Sequence, residues 1–120
     1  MSRSLVVIVE DNPVLSEVFA EVLEEVGFET EIIGDGLNAF RRIVEVIPAL
    51  VILDLHLPHV SGLEILRQIR ASVELAKTKV IIVTADAQRA EKIGEGTDLV
   101  LVKPVGMQQL QVLAKRVIDP

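Results

Sequence analysis

Five short runs of aliphatic and β-branched residues recur along this chain, and each is followed by a segment whose apolar residues have helical spacing. The runs occupy Leu5–Val9, Phe28–Ile33, Ala49–Leu53, Lys79–Thr84 and Leu99–Val102. Continuous apolar runs of this length are typical of strands buried on both faces of a parallel sheet. Strands that alternate with helices pack as a parallel sheet with helices on both faces, because the crossovers are right-handed. The pattern therefore predicts an α/β fold with a doubly wound, five-stranded parallel sheet.

Residues that begin or end helices mark the segments between the runs. Asn12 is a good N-cap residue and Pro13 suits the first helical position, so we expect a helix from there to the stop at Gly27. Ser61 and Glu64 have the spacing of a capping box at the start of the third helix. The remaining predicted helices cover residues 37–47, ended by Pro48, residues 86–95, ended by Gly94 and Gly96, and residues 107–118.

The second run differs from the others because polar residues alternate with apolar ones from Phe28 to Ile33. Such alternation indicates a strand with one solvent-facing side, and so a strand at the edge of the sheet. An edge position for the second strand favours the order 2-1-3-4-5, the flavodoxin-like arrangement. In this order the first and third strands are neighbours at the topological switch point, where open α/β sheets bind ligands.

The composition excludes several functions. The 120 residues suit one domain and include no cysteine, which excludes disulfides, thiolate metal sites and cysteine nucleophiles. The formal net charge is −6 and the basic residues are scattered, which argues against direct binding to nucleic acid. No apolar run approaches the roughly 20 residues that span a bilayer, and too few residues precede the first run for a signal peptide. We therefore expect a cytoplasmic protein without membrane attachment.

Polar residues suited to chemistry lie at the ends of four predicted strands. Glu10 and Asp11 follow the first strand, Asp54 follows the third, Thr84 ends the fourth and Lys103 follows the fifth. Because neighbouring parallel strands end at the same edge, we expect the three carboxylates to converge. Clustered carboxylates repel one another unless a cation lies between them, and Mg²⁺ prefers carboxylates together with water and phosphate oxygens. The pattern therefore predicts a magnesium site.

Considered singly, each of these residues also fits an ordinary structural role. Asp54 suits a turn, Thr84 suits a β-strand, Glu10 and Asp11 suit a solvated pair, and Lys103 suits an exposed turn. Their coincidence at four strand ends favours a shared site. A carboxylate nucleophile, a hydroxyl, an ammonium and a divalent metal are together the groups needed to transfer a phosphoryl group to an aspartate.

With these residues in this order, the chain resembles the receiver domain of two-component response regulators. The segments that carry the resemblance are Val9–Pro13, Leu53–Pro58, Gly62, Val83–Ala85 and Lys103–Pro104. The resemblance implies a CheY-like receiver domain over residues 1–120 with no effector domain after the last helix. It also implies a phosphohistidine donor on a sensor histidine kinase or histidine phosphotransfer protein, and an output protein or missing effector domain that receives the signal. Receivers assist their own phosphorylation and dephosphorylation but are not classed as enzymes.

The resemblance further implies a role for each site residue. It assigns the phosphoacceptor to Asp54, the metal ligands to Glu10, Asp11, Asp54 and the main-chain carbonyl of His56, the switch hydroxyl to Thr84 and the phosphate contact to Lys103. The implied metal is Mg²⁺, for which Mn²⁺ can substitute. His56 and Asp86 occupy positions that modulate the hydrolysis of the phosphoryl group in the family, although His56 also suits an exposed turn.

The chain departs from the receiver family on one face. Many receivers carry Tyr or Phe on the fifth strand, where this chain has Val100, and Phe after the Lys-Pro pair, where it has Val105. The segment between Thr84 and Lys103 is also shorter than in typical members, which shortens the fourth helix or the loop before it. We therefore expect ordinary phosphorylation chemistry but an output face without the usual aromatic switch.

Three other functions fit parts of the pattern. A degenerate receiver would keep the fold and act as a phosphorylation-independent protein-binding module. A phosphatase of the haloacid dehalogenase type also uses Asp, Thr, Lys and Mg²⁺, but it needs a D-x-D motif on its first strand, and here the residue two places after Asp54 is His56. A flavin-binding module needs a phosphate-binding loop after the first strand, and no Gly-rich or Ser/Thr-rich segment is present there.

Overall fold

The computed structural model describes residues 3–93 and 96–119. Within these ranges the strands are β1 (Leu5–Val9), β2 (Glu29–Ile33), β3 (Leu50–Asp54), β4 (Lys79–Thr84) and β5 (Leu99–Val102). They form one parallel sheet in the order β2-β1-β3-β4-β5. The predicted fold class and strand order are therefore confirmed, and β2 lies at an edge with its first residue exposed.

The helices that connect these strands are α1 (Pro13–Glu25), α2 (Gly36–Val46), α3 (Gly62–Ala71), α4 (Ala87–Glu91) and α5 (Met107–Ile118). A 3₁₀ turn at Val73–Leu75, which the sequence did not predict, joins α3 to β4. The fourth helix is shorter than the predicted span of 86–95, because Asp86 is its N-cap and the helix ends at Glu91. Residues 94 and 95, where we predicted its end, lie outside the described residues. No helix in the described ranges combines the length and the apolar character needed to cross a bilayer.

The helix ends follow the capping rules on which the sequence analysis relied. The side chain of Asn12 accepts hydrogen bonds from two backbone N–H groups in the first turn of α1, and Ser61 accepts one from the first turn of α3. At the end of α1, Gly27 follows the C-cap residue Val26. Its φ of 97° lies in the left-handed region, which favours glycine. The sequence analysis missed the N-cap of α2, Asp35, and α2 accordingly starts at Gly36, one residue before the predicted position.

The sheet has a separate hydrophobic layer on each face, because alternate residues of a strand point to opposite sides. On one face α1 and α5 pack over the sheet, and the buried residues there include Ile8, Phe19, Leu23, Ile52 and Leu110. On the other face α2 and α3 pack over it, and the buried residues include Val7, Ile43, Val51, Ile65 and Ile69. Burial on both faces explains why β1, β3 and β4 have uninterrupted apolar sequences.

The register of the strands aligns their carboxyl ends at one edge of the sheet. Val9 pairs with Leu53 across β1 and β3, so the next residues, Glu10 and Asp54, lie at the same level. Asp54 is itself the last residue of β3 and pairs with Val83 of β4. The sequence analysis placed Asp54 just after the strand, whereas the structure includes it in the ladder.

Candidate functional site

Three carboxylates meet at the carboxyl edge of β1 and β3. Each of Glu10, Asp11 and Asp54 offers an oxygen, and these oxygens lie within 4.8 Å of one another. The predicted convergence of the three residues is therefore confirmed. Glu10 and Asp54 are 3% and 5% exposed, whereas Asp11 is exposed to solvent. Two buried acids thus form the inner wall of the site, and one exposed acid lies at its opening.

Lys103 supplies a cation to the two buried acids. Its Nζ lies 2.9 Å from Glu10 Oε1 and 3.4 Å from Asp54 Oδ2. The lysine follows β5, and its peptide bond to Pro104 is cis. The structure therefore places the predicted phosphate-contacting lysine beside the predicted phosphoacceptor. A charge-assisted hydrogen bond of this kind also fixes the position of the ammonium group.

The electrostatics of the site follow from this burial. Burial raises the pKa of Glu10, and the negative charge of Asp54 adds to that effect, which the hydrogen bonds from Lys103 and from the Asn12 N–H only partly offset. For Lys103, burial alone would lower the pKa, but the hydrogen bonds and attraction to Glu10 and Asp54 outweigh it and raise the pKa. The ammonium is therefore firmly protonated, while the acid cluster still favours additional positive charge.

Backbone N–H groups orient the two buried carboxylates. The Asn12 N–H donates to Glu10 Oε2 at 3.2 Å, and the His56 N–H donates to Asp54 Oδ1 at 3.1 Å. Each donor lies two residues after its acceptor, as in the local turns that Asp commonly forms. The sequence analysis considered the carbonyl and the side chain of His56 and missed this N–H donor. The hydrogen bond holds one Asp54 oxygen in place while the other faces Lys103.

Thr84, His56 and Asp86 lie in the loops at the same edge. Thr84 is fully buried at the end of β4, and its hydroxyl accepts a hydrogen bond from the Asp86 N–H at 3.1 Å. The His56 Nε2 atom lies 4.0 Å from Asp86 Oδ2, and the two side chains are 53% and 39% exposed. The structure thus brings the two predicted modulating residues together, one from the β3–α3 loop and one from the β4–α4 loop. Their effect on hydrolysis stays a prediction.

Gly62 allows α3 to begin directly against the phosphoacceptor strand. A Cβ at this position would lie 2.2 Å from the carbonyl oxygen of Asp54 and 2.8 Å from the Cα of Leu55. Its N–H donates to the carbonyl of Leu55 at 3.0 Å. Since only a residue without a side chain fits in this space, Gly62 is a structural part of the site. In the sequence analysis, Gly62 was noted only as one of the positions that carry the family resemblance.

The donor set fits a hard divalent cation. Oxygen is the only donor type offered by the three clustered side chains, and oxygen ligands suit Mg²⁺ and Mn²⁺ rather than softer metals. The cluster is also more acidic than one lysine can neutralise. The residues present are therefore suitable for the predicted metal, with Glu10, Asp11 and Asp54 as its side-chain ligands. The carbonyl of His56 stays a predicted ligand.

Substitution of Asp11 by asparagine is expected to remove most of the stabilisation of the fold by Mg²⁺. Metal that binds only the folded state at 100 times its Kd adds about 2.7 kcal/mol to the free energy of unfolding. For a domain of this size that corresponds to a rise of roughly 10 °C in Tm. Because Asp11 is exposed, Asp11→Asn should change the Tm little in EDTA. Thermal unfolding with and without Mg²⁺ measures both effects.

The control is Asp35→Asn, which removes a partly exposed carboxylate outside the cluster but retains a good N-cap residue. This variant should show the same rise in Tm with Mg²⁺ as the unmodified chain. An equal rise in both variants would show that Asp11 is not a metal ligand.

Comparison with known proteins identifies the family. The family model for the response regulator receiver domain matches residues 6–115. This chain belongs to the response regulator receiver family. Membership sets aside the dehalogenase-type phosphatase and the flavin-binding module as alternatives. A degenerate receiver is compatible with it.

Curated receiver proteins are similar to this chain over most of its length. The phosphate regulon transcriptional regulatory protein PhoB of Rhizobium meliloti is 35% identical over 113 residues, which are 92% of this chain and 50% of PhoB. The DNA-binding response regulator MtrA of Mycolicibacterium smegmatis is 32% identical over 111 residues, which are 90% of this chain and 47% of MtrA. The polar-differentiation response regulator DivK of Brucella ovis is 36% identical over 110 residues and 89% of each chain. The receiver chain thus spans about half of PhoB and MtrA but most of DivK.

Solved receiver structures share the fold. The CheY-like receiver domain from Methylobacillus flagellatus is 28% identical with a TM-score of 0.87, over 97% of this chain and 99% of that one. The receiver domain of a sensor histidine kinase from Pseudomonas aeruginosa is 27% identical with a TM-score of 0.90, over 99% of this chain and all of that one. That structure has a magnesium ion coordinated in its active site cleft.

Proposed function

We propose that this receiver accepts a phosphoryl group on Asp54, with Mg²⁺ as cofactor, from a phosphohistidine of a sensor histidine kinase or histidine phosphotransfer protein. The observation that carries the proposal is the position of the Asp54 carboxylate between two further acids and the Lys103 ammonium. In this proposal the chain is a signalling module rather than an enzyme, and its phosphorylated form is its output state.

The reaction forms a bond between phosphorus and an Asp54 oxygen and breaks the bond between phosphorus and the histidine nitrogen of the donor. The His56 N–H holds Asp54 Oδ1, which fixes the carboxylate plane for in-line attack. Lys103, which contacts Asp54 Oδ2, is placed to follow the transferred group and to stabilise negative charge on its oxygens. A bound Mg²⁺, held by Glu10, Asp11 and Asp54, would neutralise phosphoryl oxygens in the same way.

Thr84 is the residue that would respond to the new phosphoryl group. Its hydroxyl accepts a hydrogen bond from the Asp86 N–H, which leaves its proton free to be donated to a phosphoryl oxygen. A shift of Thr84 toward the phosphoryl group would pull on Asp86, whose side chain caps α4 through the Arg89 N–H. We therefore propose that the signal leaves the site through displacement of α4 or is recognised by the partner at the site itself.

The residues at the two positions where many receivers carry an aromatic side chain support this route. At the position of the usual aromatic switch, Val100 packs half-buried against the α2–α3 side of the core. Val105, at the position of the usual Phe, is buried on the opposite side. Two short aliphatic side chains have no ring to swing between a buried and an exposed position. The partner that receives the signal is either a separate protein or an effector domain.

The experiment that tests the function is incubation with acetyl phosphate and Mg²⁺ followed by intact mass spectrometry. We expect one phosphoryl adduct, and we expect EDTA to prevent its formation, because the metal offsets the repulsion between the acid cluster and the incoming phosphoryl oxygens. Absence of an adduct would refute phosphorylation and favour a degenerate receiver. Equal formation with EDTA would refute the role of the metal.

Phosphorylation is expected to shift the backbone amide resonances of residues 85–105. This segment holds the α4 cap, α4, β5 and Lys103, which are the elements linked to Thr84 and Asp54 in the proposed route. The measurement is a comparison of two-dimensional NMR spectra with and without acetyl phosphate in the presence of Mg²⁺. Unchanged resonances across the segment, in a sample with a confirmed adduct, would exclude signalling through α4 and β5.

A further inference from the structure

Arg70, in the last turn of α3, forms hydrogen bonds with the loop that precedes β5. Its Nε lies 2.5 Å from the carbonyl oxygen of Gly96, and its Nη2 lies 3.4 Å from Asp98 Oδ2. The same Nη2 donates to the carbonyl of Thr78 at 2.9 Å. The planar guanidinium thus joins α3 to two remote parts of the chain, the α4–β5 loop and the residue before β4. Its side chain is 29% exposed.

The loop held by Arg70 is itself hydrogen-bonded to Val80, the second residue of β4. Asp98 Oδ2 accepts from the Val80 N–H at 2.8 Å, and the Asp98 N–H donates to the Val80 carbonyl at 2.9 Å. The Thr97 hydroxyl lies 3.1 Å from the same carbonyl. A displacement of Arg70 would therefore be transmitted directly to the segment that leads into β5.

The opposite end of α3 lies against the proposed phosphoacceptor. Gly62 contacts the backbone of Asp54 so closely that a Cβ would overlap the Asp54 carbonyl oxygen. Between the two ends, Ile65 and Ile69 are fully buried and fix α3 to the sheet. A helix of 10 residues spans about 15 Å, and its close-packed contacts transmit strain from one end to the other. The helix therefore connects Asp54 physically to the α4–β5 loop.

We propose that Arg70 is a positioning residue that couples the state of Asp54 to the α4–β5 loop through α3. The proposal rests on the phosphorylation of Asp54 proposed above and names a route for its signal. Besides Arg70, the loop is held by hydrogen bonds to Val80 of β4, whereas none of the residues of α4 is buried. The loop therefore follows α3 more closely than it follows its own short helix. In the absence of an aromatic switch on β5, the Arg70 contacts supply a second link from the site to β5, beside the one through Thr84 and α4.

The test compares Arg70→Gln with Arg67→Gln. Arg67 lies on the same helix, its side chain is 74% exposed and it contacts Glu64 at 3.8 Å, so its removal controls for loss of a charge from α3. Amide spectra of each variant are recorded with and without acetyl phosphate and Mg²⁺, and intact mass confirms the adduct. Arg70→Lys serves as a second variant, because it keeps the charge and the aliphatic stem but loses the fork that reaches three partners at once.

We expect Arg70→Gln to form the adduct and keep the shifts induced by phosphorylation at residues 54–62, but to lose them at residues 96–102. Arg67→Gln should keep both sets. Arg70→Lys should lose the same distant shifts, and it carries the test if Arg70→Gln does not fold. If Arg70 only stabilises the fold, its substitution will change the spectrum of the unphosphorylated protein but leave the shifts induced by phosphorylation intact. That result would overturn the proposal. Absence of an adduct in the unmodified chain would instead refute phosphorylation itself, and with it the basis of the coupling.

Discussion

Asp54→Asn is expected to abolish the phosphoryl adduct completely. The neutral amide lacks the negative charge and the nucleophilic oxygen that form the acyl phosphate, and no other carboxylate in the cluster occupies the position between the His56 N–H and Lys103. The variant should fold, since the amide oxygen can still accept the hydrogen bond from His56. The measurement is intact mass after incubation with acetyl phosphate and Mg²⁺.

A matched control separates the loss of the acceptor from the loss of a charge. Asp35→Asn changes a partly exposed carboxylate that caps α2, and asparagine serves equally well at that position. We expect this variant to be phosphorylated as fully as the unmodified chain. An adduct on Asp54→Asn of the same size would place the phosphoryl group on a different residue and contradict the central proposal.

Gly62→Ala is expected to be the most destabilising single-methyl substitution at the site, with a loss of about 3 kcal/mol, at the upper end of the usual range for overpacking. The new methyl group would overlap backbone atoms of Asp54 and Leu55, which cannot rotate away as a side chain would. Relief requires α3 to move away from β3, and this movement displaces the loop that holds His56. Urea unfolding measures the stability, and the rate of adduct formation should fall with it.

Gly34→Ala is the control for this substitution. A Cβ at Gly34 would lie 3.8 Å from the carbonyl oxygen of Glu10, which is ordinary contact, and its φ is outside the left-handed region. A Gly→Ala change of this kind stabilises a fold by roughly 0.4–1 kcal/mol, because it restricts the unfolded chain. The two substitutions should therefore have opposite signs. A similar loss of stability in both would mean that the packing at Gly62 is not the cause.

The arrangement of the strands, and the meeting of three acids, could be predicted from the sequence. Apolar runs define where strands end, and parallel topology brings those ends to one edge, so Glu10, Asp11 and Asp54 had to be close. Lys103 was placed at the same edge, and its role as the phosphate contact was implied by the family resemblance. The predicted positions depend only on local pattern and on topology, and they do not require interatomic distances.

Features that depend on the spacing between remote elements were not predicted. Arg70 contacts Gly96 across 26 positions of the chain, and its spacing within α3 is that of an ordinary solvated arginine. The close approach of Gly62 to Asp54 depends on the angle at which α3 leaves the sheet. The length of α4 was overestimated, because few apolar residues there define a buried face whose last turn can be recognised.

The inclusion of Asp54 in the β3 ladder bears on how a donor protein recognises this receiver. Its backbone pairs with Val83 in the middle of the sheet, while His56 and Asp86 lie in loops on either side. The acceptor is therefore preorganised, and little orientational entropy remains to be lost when the donor histidine arrives. In the proposed transfer, the donor contacts the two loops as well as Asp54, so selectivity for a donor depends on the loop residues that surround the rigid acceptor.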